Sequence, residues 1–246
     1  MTLSEIFEIG VYHGYIPQIL LAEALFTLKL RRREGFWLRL AAALPVYLVL
    51  SVAVPNLIAR FVSGWFSITI FAFSLVLCCL LFENRFTDIL FSCVCAQLTQ
   101  NLSYNVENLI YLPLADRIGT AGWLCISVFS MVLVYAVVAF IYSKRVKDGM
   151  ELNVGGKYVF PIAIVTMLFV YLMQYLFQVY GIDRLWISRP PLIVCCIFGL
   201  ALQFGLLAYR TEQEEKAKAK IANATRSPKN SAKSKKAKRK KKKVEF

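Results

Sequence analysis

Residues 122–142, GWLCISVFSMVLVYAVVAFIY, contain no charged side chain. A run of about twenty apolar residues, rising 1.5 Å per residue, matches the ~30 Å hydrocarbon core of a bilayer. Four runs in this chain meet that length rule. With no water at that depth, each must satisfy its backbone hydrogen bonds internally, as a helix. The residue usage agrees: 58% is hydrophobic and the mean hydropathy is +0.57, too apolar for a water-soluble domain of this size. The expected fold is all-α: a polytopic transmembrane bundle of six to seven spans with a disordered basic C-terminal tail.

Seven segments can be laid out in order. The first runs from about Gly14 to Leu30, the second from Trp37 to about Ile58, and the third opens at Gly64 and Trp65 and ends near Phe82. The fourth begins at Thr87, after a short ENRFTD turn, and reaches Tyr111. Gly122–Tyr142, Tyr158–Tyr180 and Leu192–Tyr209 complete the set, and GIDRLWISRPP reads as a loop before the last. The total falls to six if the first or third segment is re-entrant. Pro45 is expected to kink the second helix and Pro55 to end it.

The fourth segment starts as a membrane helix and turns polar partway along. Gln97, Gln100, Tyr104 and Glu107 or Asn108 follow steps of three and four, so a helix puts them on one face. Amides and a carboxylate facing lipid would each cost on the kcal/mol scale. That face must point at other helices or at a water-filled pocket. It serves either as interhelical hydrogen-bonding glue or as a surface that senses or passes a ligand. Tyr171, Gln174, Tyr175 and Gln178 form a second polar face on the sixth segment, where the same alternatives stand. Glu23 lies near mid-depth of the first, either neutral and bonded inside the bundle or a counter-charge for a ligand or partner helix. The ligand-binding candidates are Glu23, Gln97, Gln100, Tyr104, Glu107, Tyr171, Gln174 and Gln178.

Basic residues set the expected orientation. The loops after the first, third and fifth segments carry Arg31, Arg32 and Arg33, then Arg85, then Lys144, Arg145 and Lys147. The other loops hold only Arg60, Arg117, Arg184 and Arg189, partly offset by Asp116 and Asp183. The first set is expected in the cytoplasm, with the N-terminus outside and the C-terminus inside a cell (cytoplasmic) membrane. No cleavable signal peptide is expected, because MTLSEIFEIG is acidic and no cleavage site follows it.

Most of the +14 net charge belongs to the C-terminal stretch. From Arg210 onward there are fifteen Lys or Arg against four Asp or Glu, a balance of +11. Residues 1–209 form the expected sensor-like bundle, 210–226 a cytoplasmic helical extension and 227–246 a disordered polybasic tail that begins at Ser227-Pro228. Lys235, Lys236, Lys238, Arg239, Lys240, Lys241, Lys242 and Lys243 are expected to bind anionic lipid headgroups. Without interleaved aromatics or a folded module, nucleic acid is not an expected partner.

Catalysis is not expected. The seven cysteines sit in apolar segments without CxxC spacing, and His13, the one histidine, lies among Tyr12 and Tyr15 as an interfacial cluster. No metal site, cofactor or nucleophile–base pair is expected.

Three stretches together carry a resemblance: LFTLKLRRREGFWLRLAAALP, FSCVCAQLTQNLSYNVENLI and LLAYRTEQEEKAKAK. Over roughly Met1 to Ala219 the chain resembles the N-terminal membrane sensor region of bacterial Agr-type (GHKL) peptide-sensing histidine kinases. That resemblance implies a membrane domain that receives an extracellular signal, often a peptide, and passes it through the last helix. Such kinases carry a phosphoacceptor His and an ATP-binding domain after that helix. From Arg210 this chain has no His and a basic tail in their place, so autophosphorylation is not expected of it. The expected function is a non-catalytic receptor or signal-transduction module. The alternative is a small membrane transporter, with Glu23, Gln97, Gln100, Gln174 and Gln178 lining a midplane site. Expected partners are the lipid bilayer, an extracellular peptide or small ligand, a cytoplasmic signalling protein and a second copy of the chain.

Overall fold

The computed structural model describes residues 15–59, 66–115, 117–146, 152, 154, 158–182 and 185–242, with side chains described as far as Ile221. Among these the architecture is all-helical, without a strand. The helices are α1 (Tyr15–Thr27), α2 (Phe36–Ala59), α3 (Phe66–Leu81), α4 (Phe86–Tyr111), α5 (Thr120–Arg145), α6 (Val159–Val179) and α7 (Arg189–Lys242). Short 3-10 turns lie at Leu112–Leu114 and Trp186–Ser188.

Three helical stretches are long and apolar enough to cross a membrane: Ala121–Arg145, Val159–Val179 and Trp186–Ile221. Shorter apolar helices cover Ile16–Thr27, Phe36–Ser51 and Ser67–Leu81. Their outward faces are apolar. On α5, Val128, Phe129, Val132 and Phe140 are all exposed, Phe129 at 62%. In water such a surface would demand burial, whereas acyl chains are its natural solvent.

Helix α4 is the axis. Eighteen of its 26 residues are buried. Helices α1, α3, α5 and α6 all pack on it, while α2 lies outermost against α3. Where α1 and α4 meet, Ser92 Oγ and Tyr142 Oη both donate to the Phe26 carbonyl, each at 3.3 Å. The Phe26 ring sits edge-on to Tyr142, with centroids 4.9 Å apart, and 6.4 Å from Phe204 of α7. At Gly199, α7 comes close to α6 and α4. A Cβ there would lie 2.6 Å from Thr166 Cγ2 of α6 and 3.1 Å from Leu98 Cδ1 of α4.

The loops after α1, α3 and α5 meet at one end. Arg32 and Phe82 form an antiparallel bridge, and Arg33 Nε donates to the Phe82 carbonyl at 2.8 Å. Arg31 N–H donates to Asn84 Oδ1 at 2.6 Å, and its guanidinium pairs with Glu83 at 3.5 Å. From the third loop, Val154 N–H donates to the buried Asp88 carboxylate at 2.8 Å and Leu152 N–H to the Lys29 carbonyl at 3.4 Å. The three basic loops thus share one face of the bundle.

Two boundaries differ from expectation. Helix α2 runs to Ala59, close to the expected end near Ile58, but Pro55 lies within the helix and does not mark its end. The double proline Pro190-Pro191 lies inside the first turn of α7, not in a loop. The first N–H groups of a helix have no intrahelical acceptor, so prolines cost little there. Helix α7 is assigned as far as Lys242, past Ser227-Pro228, in a run of Lys and Ala of high helix propensity. Within the stretch that begins at Leu207, Lys216 Nζ pairs with Glu212 at 2.6 Å, one turn apart. The side chains of Lys235, Lys236, Lys238, Arg239, Lys240, Lys241 and Lys242 lie outside the described residues, as do Lys243, His13, Gly64, Trp65, Asp116, Asp183 and Arg184.

The close approach at Gly199 makes a specific demand. Gly199→Ala should destabilise the bundle by about 1–3 kcal/mol through overpacking, read as a lowered unfolding midpoint in detergent. Adding Thr166→Ser, which removes the clashing methyl and keeps the hydroxyl, should recover part of that loss. An unchanged midpoint in the single variant would refute the tight contact.

Candidate functional site

The polar side chains of α4 are distributed by helical angle between two interfaces. At 100° per residue, Gln97, Tyr104 and Asn108 mark the centre of the stripe, with Gln100 and Glu107 on one flank and Asn101 and Asn105 on the other. Some of these groups satisfy themselves along the helix. Thr99 Oγ1 donates to the Cys95 carbonyl at 2.8 Å and Asn105 Nδ2 to the Asn101 carbonyl at 2.7 Å. Asn108 Nδ2 does likewise with the Tyr104 carbonyl at 2.8 Å, while Asn101, Asn105 and Glu107 also bond to neighbouring helices.

Toward α1 and α5 the flank is built on Glu107. Ser127 Oγ of α5 donates to Glu107 Oε2 at 3.0 Å. Gln18 of α1 and Trp123 of α5 are also within hydrogen-bonding reach of this carboxyl. Nearby, Tyr135 Oη donates to the Gln18 carbonyl at 2.6 Å. Three helices therefore converge on one buried acid.

Toward α6 and α7 the flank is built on two asparagines. Gln174 Nε2 donates to Asn101 Oδ1 at 3.2 Å, so the polar faces of the fourth and sixth helices do meet. Arg189 Nη1, at the start of α7, donates to Asn105 Oδ1 at 3.3 Å, and its guanidinium lies 5.8 Å from the Tyr104 ring centroid. A bond from a charged donor is worth about twice a neutral one.

Glu23 belongs to a separate node. It is 5% exposed, and the Ser74 hydroxyl of α3 is within hydrogen-bonding reach of it. Ser74 Oγ in turn lies 3.1 Å from Tyr47 Oη of α2. Glu23 Oε1 has no hydrogen-bond partner among the described residues. Neither do both carboxamide atoms of Gln100 and of Gln203, or Asn101 Nδ2. A buried donor or acceptor without a partner costs about 1–3 kcal/mol. These atoms are where a polar group entering the bundle would be rewarded most.

The eight candidate residues are therefore not all brought together. Gln97, Gln100, Glu107 and Glu23 are buried, and Tyr104, Tyr171 and Gln174 are half-buried. Tyr171 turns to α3, donating to the Ser67 carbonyl at 3.3 Å. Gln178 is exposed. Asn101, Asn105, Gln18, Ser127 and Arg189 belong to the site and were not among the sequence candidates. The asparagines carried a signal, since they stand four apart on the same stripe. Arg189 carried none, because the sequence placed it in a loop.

The chain is an all-helical bundle organised around a buried polar helix, with three helices long and apolar enough for membrane spans. No protein-family model, curated protein or solved structure matches it.

The Gln174–Asn101 bond can be weighed directly. A double-mutant cycle with Asn101→Ala and Gln174→Ala should give a coupling of about 0.5–1.5 kcal/mol, the range of interhelical hydrogen bonds in membranes. Unfolding in mixed detergent micelles measures it, and strict additivity would mean that the two side chains do not interact.

Proposed function

We propose that this chain is a non-catalytic integral membrane receptor. Its seven helices would span a cell membrane, with the N-terminus outside and the C-terminus in the cytoplasm, and α7 would carry the signal inward. The layout resembles that of the sensor region of Agr-type peptide-sensing histidine kinases. In support, the basic loops after α1, α3 and α5 gather at one end, as alternating crossings require, and their Lys/Arg content favours the cytoplasmic side. The basic residues from Lys235 to Lys243 would then meet the anionic inner leaflet.

The observation that carries the reading is the pair of polar contacts linking α6 and α7 to the buried stripe of α4, Gln174–Asn101 and Arg189–Asn105. They lie toward the end away from the basic loops, where an extracellular peptide or small ligand would arrive. A ligand competing for Asn101, Asn105 or Gln100 would change what holds the start of α7. The resulting shift can be no larger than the ligand's differential affinity for the two poses.

An environment-sensitive fluorophore on a cysteine placed at Ala217 reads the pose of α7. Vesicles bearing the full chain should respond to conditioned medium, and protease treatment of the medium should remove the response if the ligand is a peptide. Gln100→Ala and Glu107→Ala should each weaken the response at least tenfold at unchanged expression. Wild-type responses in both variants would count against the reading. A silent fluorophore alongside saturable substrate uptake into the same vesicles would favour the transporter alternative.

A further inference from the structure

Away from the polar axis, the outer pair of helices encloses a second feature. A groove of about 390 Å³ runs between α2 and α3. The sequence accounts for it: α2 opens as FWLRLAAALP, and Ala42 and Ala43 leave space that Val76, Leu77 and Leu80 of α3 border without filling. The floor includes Tyr47, whose hydroxyl is already bonded to Ser74, so what it adds to the groove is ring surface. Val46 and Val76 on the rims are 56% and 57% exposed, so the groove lies open along its side.

One end is charged. Arg39 lines the groove, and its Nε donates to the Glu34 carbonyl at 3.1 Å. Among the described residues the Arg39 side chain makes no other hydrogen bond or ion pair, so its terminal nitrogens remain for a bidentate acceptor. Just before it, the Arg32 guanidinium lies 5.0 Å from the Phe36 ring centroid and 5.7 Å from that of Trp37, which is 69% exposed. Exposed Trp beside Arg marks the headgroup level of a bilayer.

We propose that this groove holds one acyl chain of an anionic phospholipid, with the lipid phosphate on Arg39. The dimensions agree. Arg39 and Leu50, at opposite ends of the lining of α2, are eleven residues apart. That is about 16 Å of helix, close to half of the ~30 Å hydrocarbon core, the depth of one leaflet. The charge agrees too, because Arg39 is the one charged residue lining a groove whose other walls are apolar side chains and the Tyr47 ring. This proposal needs the bundle to lie in a bilayer but does not need it to be a receptor.

The test uses the full chain in phosphatidylcholine nanodiscs doped with phosphatidylglycerol or phosphatidylcholine bearing a diazirine in mid-acyl chain. After irradiation, labelled residues are mapped by peptide mass spectrometry. The phosphatidylglycerol probe should label Ala42, Val46 and Val76 about fivefold more than the phosphatidylcholine probe. Arg39→Gln should abolish that preference, and Arg39→Lys should keep most of it. Ala43→Leu, which fills the groove, should reduce labelling by both probes. Lipid-facing Phe129 and Val132 on α5 should be labelled alike in every sample. With that labelling intact, equal labelling of the groove by both probes in the wild type would overturn the proposal. So would a preference that survives Arg39→Gln, no effect of Ala43→Leu, or groove residues crosslinked to a second copy of the chain in place of lipid. Loss of labelling at Phe129 and Val132 would instead remove the bilayer on which the proposal stands.

Discussion

Amides and carboxylates cannot be left against acyl chains, and this chain places a dense series of them on a single helix. Between Gln97 and Glu107, α4 carries Gln97, Thr99, Gln100, Asn101, Ser103, Asn105 and Glu107, each 3% exposed or less. Exposure of any one to hydrocarbon would cost kcal/mol. The arrangement that avoids this encloses α4 in other helices, and α1, α3, α5 and α6 do so. The enclosing helices can then be uniformly apolar on their outer faces. The usual relation of a soluble protein is inverted, with polarity gathered inward and Phe129 or Leu168 turned out. The enclosure is not uniform: α4 has 18 of its 26 residues buried, whereas α2 packs chiefly on α3. Its loose seating leaves the α2–α3 groove.

Much of this layout was legible because hydropathy and charge act over long windows. Seven helical segments, the grouping of the basic loops and the polar faces of the fourth and sixth helices could all be read from residue order. Helix α4 shows where such reading reaches its limit. It is 26 residues long, enough for about 39 Å at 1.5 Å per residue. Yet it is not among the helices apolar enough to be recognised as spans. A helix that never touches lipid is under no pressure to be apolar, so hydropathy says least about the helix at the centre. Pro55 and Pro190 misled for a related reason. Proline's local cost is a fixed quantity, and whether it ends a helix depends on packing that a local rule does not see.

The site was legible as a stripe but not as a partition. Helical periodicity groups Gln97, Gln100, Tyr104 and Glu107, and nothing in it says that two neighbours divide the stripe. Glu107 goes to Ser127, Gln18 and Trp123, while Asn101 and Asn105 go to Gln174 and Arg189. That division follows from which helices dock on either side of α4, a tertiary property. Gln178 illustrates the converse. It keeps the spacing of its face on α6 yet is exposed, and spacing alone does not register which members of a face are covered.

Two contacts of α7 with α4, at Gly199 and at Arg189, differ in kind, and the difference bears on how a signal would travel. At Gly199 the contact is one of shape, with a glycine letting α7 come close to Leu98 and Thr166. Such a contact tolerates little displacement, because close-packed side chains resist both overlap and separation. At Arg189 the contact is polar, a 3.3 Å hydrogen bond to Asn105 beside the Tyr104 ring, and a competing acceptor can exchange with such a bond. If α7 carries a signal, a tight contact at Gly199 and a polar one ten residues away favour a pivot over a slide. Competition for Asn105 would release the start of α7, and the Gly199 contact would serve as the fulcrum about which the helix turns.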